Sequence, residues 1–270
     1  MINEYHQFQA EVIAIAKEAG EAIMQIYSTD FGFEMKLDNS PLTQADIAAH
    51  DIIVAKLSQL TPDIPVLSEE SEETDISSRL NWQTYWLIDP LDGTREFLKR
   101  NGEFTVNIAL ISQHQSIMGV VYAPVTGLTY YASKEQGAYK QEGDAPAQRI
   151  YAKPLDMTQI TIAGSRSHSD ERFQKFLHSV EVATLVKPEL ICLGSSLKIC
   201  LVAEGRADVY PRLGPTYEWD TAAGHCVLQE AGGDIVDIHA TPLGYNTKSS
   251  LLNPHFFATA EKSQQWAVFL

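Results

Sequence analysis

The chain has 270 residues, 44% of them hydrophobic and 20% charged, enough for one large domain or two compact halves with a real core; disordered, collagen-like and coiled-coil readings are excluded. Its 35 Asp and Glu outnumber its 20 Lys and Arg to give a net charge of −15, a surface that repels nucleic acid polymers and anionic lipid. Three cysteines, Cys192, Cys200 and Cys226, form no CxxC pair. With no signal-peptide pattern and no unbroken apolar run of about 18 residues, they read as buried thiols of a soluble, cytoplasmic protein without a transmembrane segment.

Phe8, Val12, Ile15, Ala19, Ile23 and Ile26 recur at helical spacing and predict a long first helix ending near Tyr27. Alternation of Phe33, Met35 and Leu37 predicts a short strand before a turn at Asp38-Asn39-Ser40-Pro41. Thr43 and Asp46 form a capping pair for a second helix to about Leu60, ended by Pro62 and Pro65. The period then changes. Val66-Leu67, Trp82–Ile88, Phe104–Ser112, Ile117–Ala123, Leu128–Ala132 and Ala138–Gln141 read as strands, the later ones as an antiparallel meander. The polar segment Glu142–Gln148 is a loop or the approach to a boundary, and the division is drawn at 1–155 and 156–270. Beyond it, strands at Ile160–Ala163, Val182–Val186, Ala207–Tyr210, Asp234–Ile238 and Phe256–Ala260 alternate with helices at Asp170–Val180, Ser196–Glu204 and Asp220–Ala231, and a short helix closes the chain. An α+β half with an antiparallel sheet is thus followed by a more α/β-like half with a mixed sheet.

The chemistry concentrates in Trp86-Leu87-Ile88-Asp89-Pro90-Leu91-Asp92-Gly93-Thr94. An apolar strand delivers Asp89, Pro90 is expected to stop the ladder, and Asp92 lies across a tight turn, so two carboxylates and the Leu91 carbonyl converge as hard ligands suited to Mg²⁺. Gly93 admits close backbone approach, and Thr94 opens a helical turn fit to hold phosphate. An Asp-Pro/Asp-Gly surface turn is the plainer alternative. Ser68-Glu69-Glu70-Ser71 places Glu69 at the end of another buried strand, although a run of acids is also what a solvated surface shows. Asp220 precedes small residues, Ala222, Ala223 and Gly224, that would let its helix approach a neighbour; a simple N-cap fits too, as it does for Asp46. Together the acids suit two-metal phosphoester hydrolysis, and cations between carboxylates and ligand would let so acidic a protein bind phosphate.

DPLDGT at 89–94, WDTAAG at 219–224, SEES at 68–71 and SPLTQAD at 40–46 resemble the Mg²⁺-dependent, lithium-sensitive phosphatases of the inositol monophosphatase family, with all elements in order from the first helix to the last strand. Within it, DNSPLTQADIAAHD, REFLKRNGEFTVNIALI, SRSH and GSSLKICLVAEGRADVYPRLGPT resemble the 3'(2'),5'-bisphosphate nucleotidase branch. The resemblance implies a layered α-β-α-β-α fold with the active site between the halves, and two or three Mg²⁺ ions. Glu69, Asp89 and the Leu91 carbonyl would hold one ion, and Asp89, Asp92 and Asp220 a second. Gly93 and Thr94 would bind the scissile phosphate while Asp46 and the Thr94 hydroxyl orient and deprotonate the attacking water. His168, Ser195, Lys198 and Arg212 would line the adenosine and 5'-phosphate pocket; as bare residues, Lys198 and Arg212 could be surface charges and His168 a loop histidine. The implied substrate is a small nucleotide, adenosine 3',5'-bisphosphate or 3'-phosphoadenylyl sulfate, in sulfur assimilation. Peripheral attachment to the cytoplasmic face of the inner membrane is also attributed to such proteins, but no basic amphipathic segment here argues for it. An inositol- or sugar-phosphate phosphatase and a non-catalytic metal- or nucleotide-binding regulator are the rival readings. His50 and His225 read as structural, and Lys36 is left unassigned.

Overall fold

The computed structural model describes residues 2–30, 32–35, 41–71, 78–165 and 171–270. The expected turn at 38–40, Lys36 and His168 lie outside them. Helix α1 (Gln9–Tyr27) buries Val12, Ile15, Ala16, Ala19 and Ile23, the stripe its spacing predicts. A hairpin of β1 (Phe33–Met35) and β2 (Pro41–Thr43) leads into α2 (Gln44–Leu60). There the expected pair caps the helix: Thr43 Oγ1 accepts the Ala45 N–H at 3.1 Å, and Asp46 Oδ2 accepts the Thr43 N–H at 2.7 Å.

A seven-stranded sheet follows: β3 (Val66–Ser68), β4 (Thr84–Asp92), β5 (Thr105–Ser112), β6 (Gln115–Ala123), β7 (Leu128–Ser133), β8 (Gly137–Glu142) and β9 (Gln148–Ile150), in that spatial order. It is the expected meander, antiparallel except where β3 runs parallel to β4, with β9 added at its edge. Pro90 does not end β4. The strand runs on to Asp92 through a break in register between Asp89 and Asp92, a place where the missing N–H of proline costs no ladder bond. A five-residue helix, α3 (Thr94–Leu98), separates β4 from β5.

The second sheet has the order β11-β10-β12-β14-β13: β10 (Thr161–Gly164) is parallel to β11 (Glu189–Cys192) and β12 (Val209–Arg212), while β14 (Phe256–Thr259) is antiparallel to β12 and β13 (Asp234–Asp237). Its helices are α4 (Glu171–Thr184), α5 (Leu197–Ala203) and α6 (Glu218–Glu230). The strand expected at Val182–Val186 is instead the end of α4. Val180 continues the buried stripe of Phe173 and Phe176, the Thr184 hydroxyl donates back to the Val180 carbonyl at 2.8 Å, and Leu185, at φ 59°, closes the helix. The strand lies later, at β11.

Three cores explain the layers. One packs α1 and α2 on a face of the seven-stranded sheet, and one fills the space between the sheets with α5 and α6. The third packs α4 and the closing 3₁₀ turn, Trp266–Phe269, on the far face of the second sheet. The order is α-β-α-β-α, as expected.

Candidate active site

The break in β4 is what assembles the site. Side chains three apart on a regular strand point to opposite faces. Here Asp89 pairs with Asn107 and Asp92 with Thr105, so three steps on β4 face two on β5. The extra residue restores parity and turns both carboxylates to one side of the sheet. Gly93, at φ 95°, then starts α3, and a side chain there would meet the Glu103 carbonyl at 3.2 Å. Asp220 arrives from the other side on α6. It is the third residue of that helix rather than its N-cap, and its Oδ2 accepts the Tyr217 N–H at 2.8 Å. The small residues behind it act as expected: a Cβ on Gly119 of β6 would lie 2.2 Å from the Ala223 carbonyl, so α6 rests directly on the sheet.

Asp89, Asp92 and Asp220 each bring one carboxylate oxygen within 4.8 Å of the other two. Each also spends an oxygen on an N–H donor that fixes it: Leu91 N to Asp89 Oδ1 at 3.1 Å, Ser196 N to Asp92 Oδ2 at 2.5 Å, and Tyr217 N to Asp220 Oδ2. The plain surface-turn reading of Asp89 and Asp92 therefore fails. Burial, then the charges of Glu69, Asp92, Asp220 and Asp46, push the Asp89 carboxyl well above the usual carboxylate range. Asp92 is raised by burial, an effect opposed by Lys198, the Ser196 N–H and Asn107. Asp220 is pushed up to about 8 by burial, Asp92 and Glu69. An all-oxygen set at this spacing, destabilised by its own charge, fits a hard divalent cation, which would relieve that repulsion.

Glu69 stands outside this group of three but lines the same cleft, and its charge acts on both Asp89 and Asp220. His50, on the helix that carries Asp46, bonds the Ser68 hydroxyl at 2.8 Å and so braces the strand end before Glu69; burial holds its pKa down. Asp46 is buried, and the Thr94 hydroxyl lies 3.4 Å from both Asp46 Oδ1 and the Leu91 carbonyl.

The cleft has a volume of about 740 Å³, and Gly93, Thr94, Ser195, Lys198 and Arg212 also line it. Lys198 is not a surface charge. It is 5% exposed, donates to the Ser195 carbonyl at 2.6 Å and lies 5.2 Å from the centre of the Tyr210 ring. Ser195 holds a left-handed backbone, φ 49°. Arg212 donates to the Pro215 carbonyl at 2.8 Å, and its buried Nε has no partner among the described residues. His225 is structural, buried between Asp234 and the Tyr245 hydroxyl at 2.8 Å each. Cys200 and Cys226 are buried free thiols, while Cys192 is half-buried.

Sequence reasoning missed Arg95, Arg172 and Tyr217 in the cleft wall, and missed Thr105, Asn107 and Ser196 around Asp92. Asn107 had a usable signal, an amide in the middle of an otherwise apolar strand, where a buried polar group demands partners.

The sequence profile of the inositol monophosphatase family matches residues 4–267. A Salmonella typhimurium protein named 3'(2'),5'-bisphosphate nucleotidase CysQ is 48% identical over 251 residues, 92% of this chain and 98% of its own. The Escherichia coli protein of that name is 48% identical over 248 residues, 91% of this chain and 97% of its own. The crystal structure of CysQ from Bacteroides thetaiotaomicron, a bacterial member of the inositol monophosphatase family, matches with a TM-score of 0.81 at 42% identity, covering 94% of this chain and 98% of that one. A match that runs from the first helix to the closing turn, in sequence and in shape, makes this chain a member of the inositol monophosphatase family.

Proposed function

We propose that this protein is a Mg²⁺-dependent 3'(2'),5'-bisphosphate nucleotidase that converts adenosine 3',5'-bisphosphate to AMP and phosphate, accepts 3'-phosphoadenylyl sulfate as well, and serves sulfur assimilation in the cytoplasm. The observation that carries this reading is the pairing, in one cleft, of a buried three-carboxylate cluster with two cationic side chains, Lys198 and Arg212. The first suits a phosphoryl group bound through cations, and the second a further anionic group on the same ligand. Relatives named for this activity, 48% identical across more than nine-tenths of the chain, support the choice of substrate. Among the described residues no helix is long and apolar enough to cross a membrane.

Asp89, Asp92 and Asp220, with Glu69 and the Leu91 carbonyl, would hold the Mg²⁺ ions; these supply Lewis-acid stabilisation of the phosphoryl charge and make water a better nucleophile. The protein's own groups do the rest. Gly93 and Thr94 seat the scissile phosphate at the start of α3. The Thr94 hydroxyl orients the attacking water, whose proton passes to Asp46, a carboxylate held in place by the Thr43 N–H and hydroxyl at 2.7 and 2.6 Å. The P–O bond to the ribose breaks in line with attack, and the ribose oxygen takes up a proton. Ser195, Lys198, Arg212 and His168 meet the nucleotide's other end. The site lies between residues 1–155, which bring most of the metal ligands, and 156–270, which bring Asp220 and the nucleotide wall.

The test is phosphate release with Mg²⁺ from adenosine 3',5'-bisphosphate, inositol 1-phosphate and fructose 1,6-bisphosphate. The bisphosphate nucleotide should be hydrolysed fastest by kcat/KM. Equal or better turnover of an inositol or sugar phosphate overturns the substrate assignment, and nucleotide binding without release in any case overturns catalysis.

A further inference from the structure

Asp92 is held by a network that crosses the cleft. Ser196 stands just before α5, in the segment Gly194–Lys198 that lines the nucleotide side. Its N–H donates to Asp92 Oδ2 at 2.5 Å, its hydroxyl donates to Asn107 Oδ1 at 2.8 Å, and the same hydroxyl lies 2.9 Å from that of Thr105. From β5, Asn107 Nδ2 donates to Asp92 Oδ2 at 3.3 Å, and the Thr105 hydroxyl lies 3.4 Å from the same oxygen. Ser196, Thr105 and Asn107 are all at most 3% exposed.

The proton inventory gives this network a direction. A primary amide has one accepting end and one donating end. Because the Ser196 hydroxyl occupies the Asn107 oxygen, the amide is fixed with its NH₂ toward Asp92. Turned over, it would set an oxygen against a carboxylate already crowded by negative charge. With its own proton on Asn107, the Ser196 hydroxyl accepts from Thr105 at 2.9 Å, so the Ser196 N–H and the Asn107 NH₂ are the donors that converge on Oδ2, which leaves Oδ1 to a cation.

We propose that Ser196 is a positioning residue for the metal centre: it orients Asn107 and Thr105 so that Asp92 presents a single oxygen to the cation, and it ties that ligand to the segment that meets the nucleotide. The inference rests on Asp92 as a metal ligand. It adds that the two consecutive serines divide the work, Ser195 facing the nucleotide and Ser196 facing the metal. Partners that orient a ligand in this way typically contribute about 10–100-fold to metal affinity.

The experiment is titration of the metal-free full chain with Mn²⁺, followed by calorimetry and by the Mn²⁺ electron paramagnetic resonance signal, with the melting temperature of the chelated protein measured alongside. Ser196→Ala and Thr105→Val should each weaken Mn²⁺ binding by about 10–100-fold, whereas Thr105→Ser, which keeps the hydroxyl, should stay near the wild type. The double variant Ser196→Ala/Thr105→Val should be little worse than the weaker single one, because both act through one network. Unchanged Mn²⁺ affinity in Ser196→Ala and Thr105→Val overturns the proposal. So does equal weakening by Thr105→Val and Thr105→Ser, and that pair decides the matter if Ser196→Ala does not fold. A wild-type chain that binds no Mn²⁺ removes Asp92 as a ligand and the inference with it. Failure to release phosphate from the bisphosphate, with Mn²⁺ binding intact, counts only against the proposed reaction.

Discussion

Lys198 illustrates how a side chain acquires a role from its surroundings. A lysine buried to 5% exposure needs partners for its polar end, and here Lys198 donates to the Ser195 carbonyl while its charge opposes the rise that burial imposes on Asp92. On the proposed reading it also meets the nucleotide's second anionic group. Lys198→Ala should therefore raise KM for adenosine 3',5'-bisphosphate by roughly 10–100-fold, the worth of a charge-assisted hydrogen bond, and raise it less for a nucleoside 3'-monophosphate. Steady-state kinetics on the two substrates checks this, and equal effects would remove Lys198 from substrate choice. At this scale the acids were legible and their holders were not. Asp89, Asp92 and Asp220 stand in short motifs that singled them out as candidate ligands, and their carboxylates do converge. Ser196, Thr105 and Asn107 are remote in sequence from Asp92 and meet it only because β5 pairs with β4 and α5 closes over both.

At the scale of elements, the break in β4 and the seat of α6 do the positioning. The break was hidden because a proline after a strand normally reads as its end, whereas here the ladder absorbs it as one extra residue. The end of α4 was misread for a related reason. A run of Val, Ala and Thr has strand propensity, but the buried stripe from Phe173 through Val180 carries the helix through it. Helix α6 depends on Gly119, whose missing side chain is the room for the Ala223 carbonyl. Gly119→Val should force the helix from the sheet and cost about 1–3 kcal/mol or more, read as a lower denaturation midpoint. Because Asp220 rides on the same helix, divalent-ion affinity should fall in the same variant. Wild-type stability in Gly119→Val would show that the helix has slack the structure does not display.

For the whole molecule, two sheets and three helical layers bring acids from the end of β3, from β4 and from α6 into one cleft, and the electrostatic cost of that arrangement makes stability depend on pH. Asp220 has a pKa of about 8 when folded against a usual 3.8, so between those values the metal-free folded chain holds a proton that the unfolded chain has lost. The unfolded state binds fewer protons, and metal-free stability should therefore fall as pH rises through that window. A divalent cation binds the ionised carboxylates, so its stabilisation should grow over the same range. Melting temperatures from pH 5 to 8, with chelator and with saturating Mg²⁺, should diverge as pH rises, and Asp220→Asn should flatten the chelated slope. Parallel curves would contradict the account. The layer order was legible from the succession of elements and from family resemblance together. The sharing of the middle core was not, because no local pattern reports which face of a sheet a distant helix will cover.

The most direct measurement is anomalous diffraction from crystals of the protein equilibrated with Mn²⁺. The account predicts at least one peak coordinated at about 2.1 Å by carboxylate oxygens of Asp89, Asp92 and Asp220, with Glu69 beside it. A peak held by other residues, or none there at saturating Mn²⁺, would contradict it.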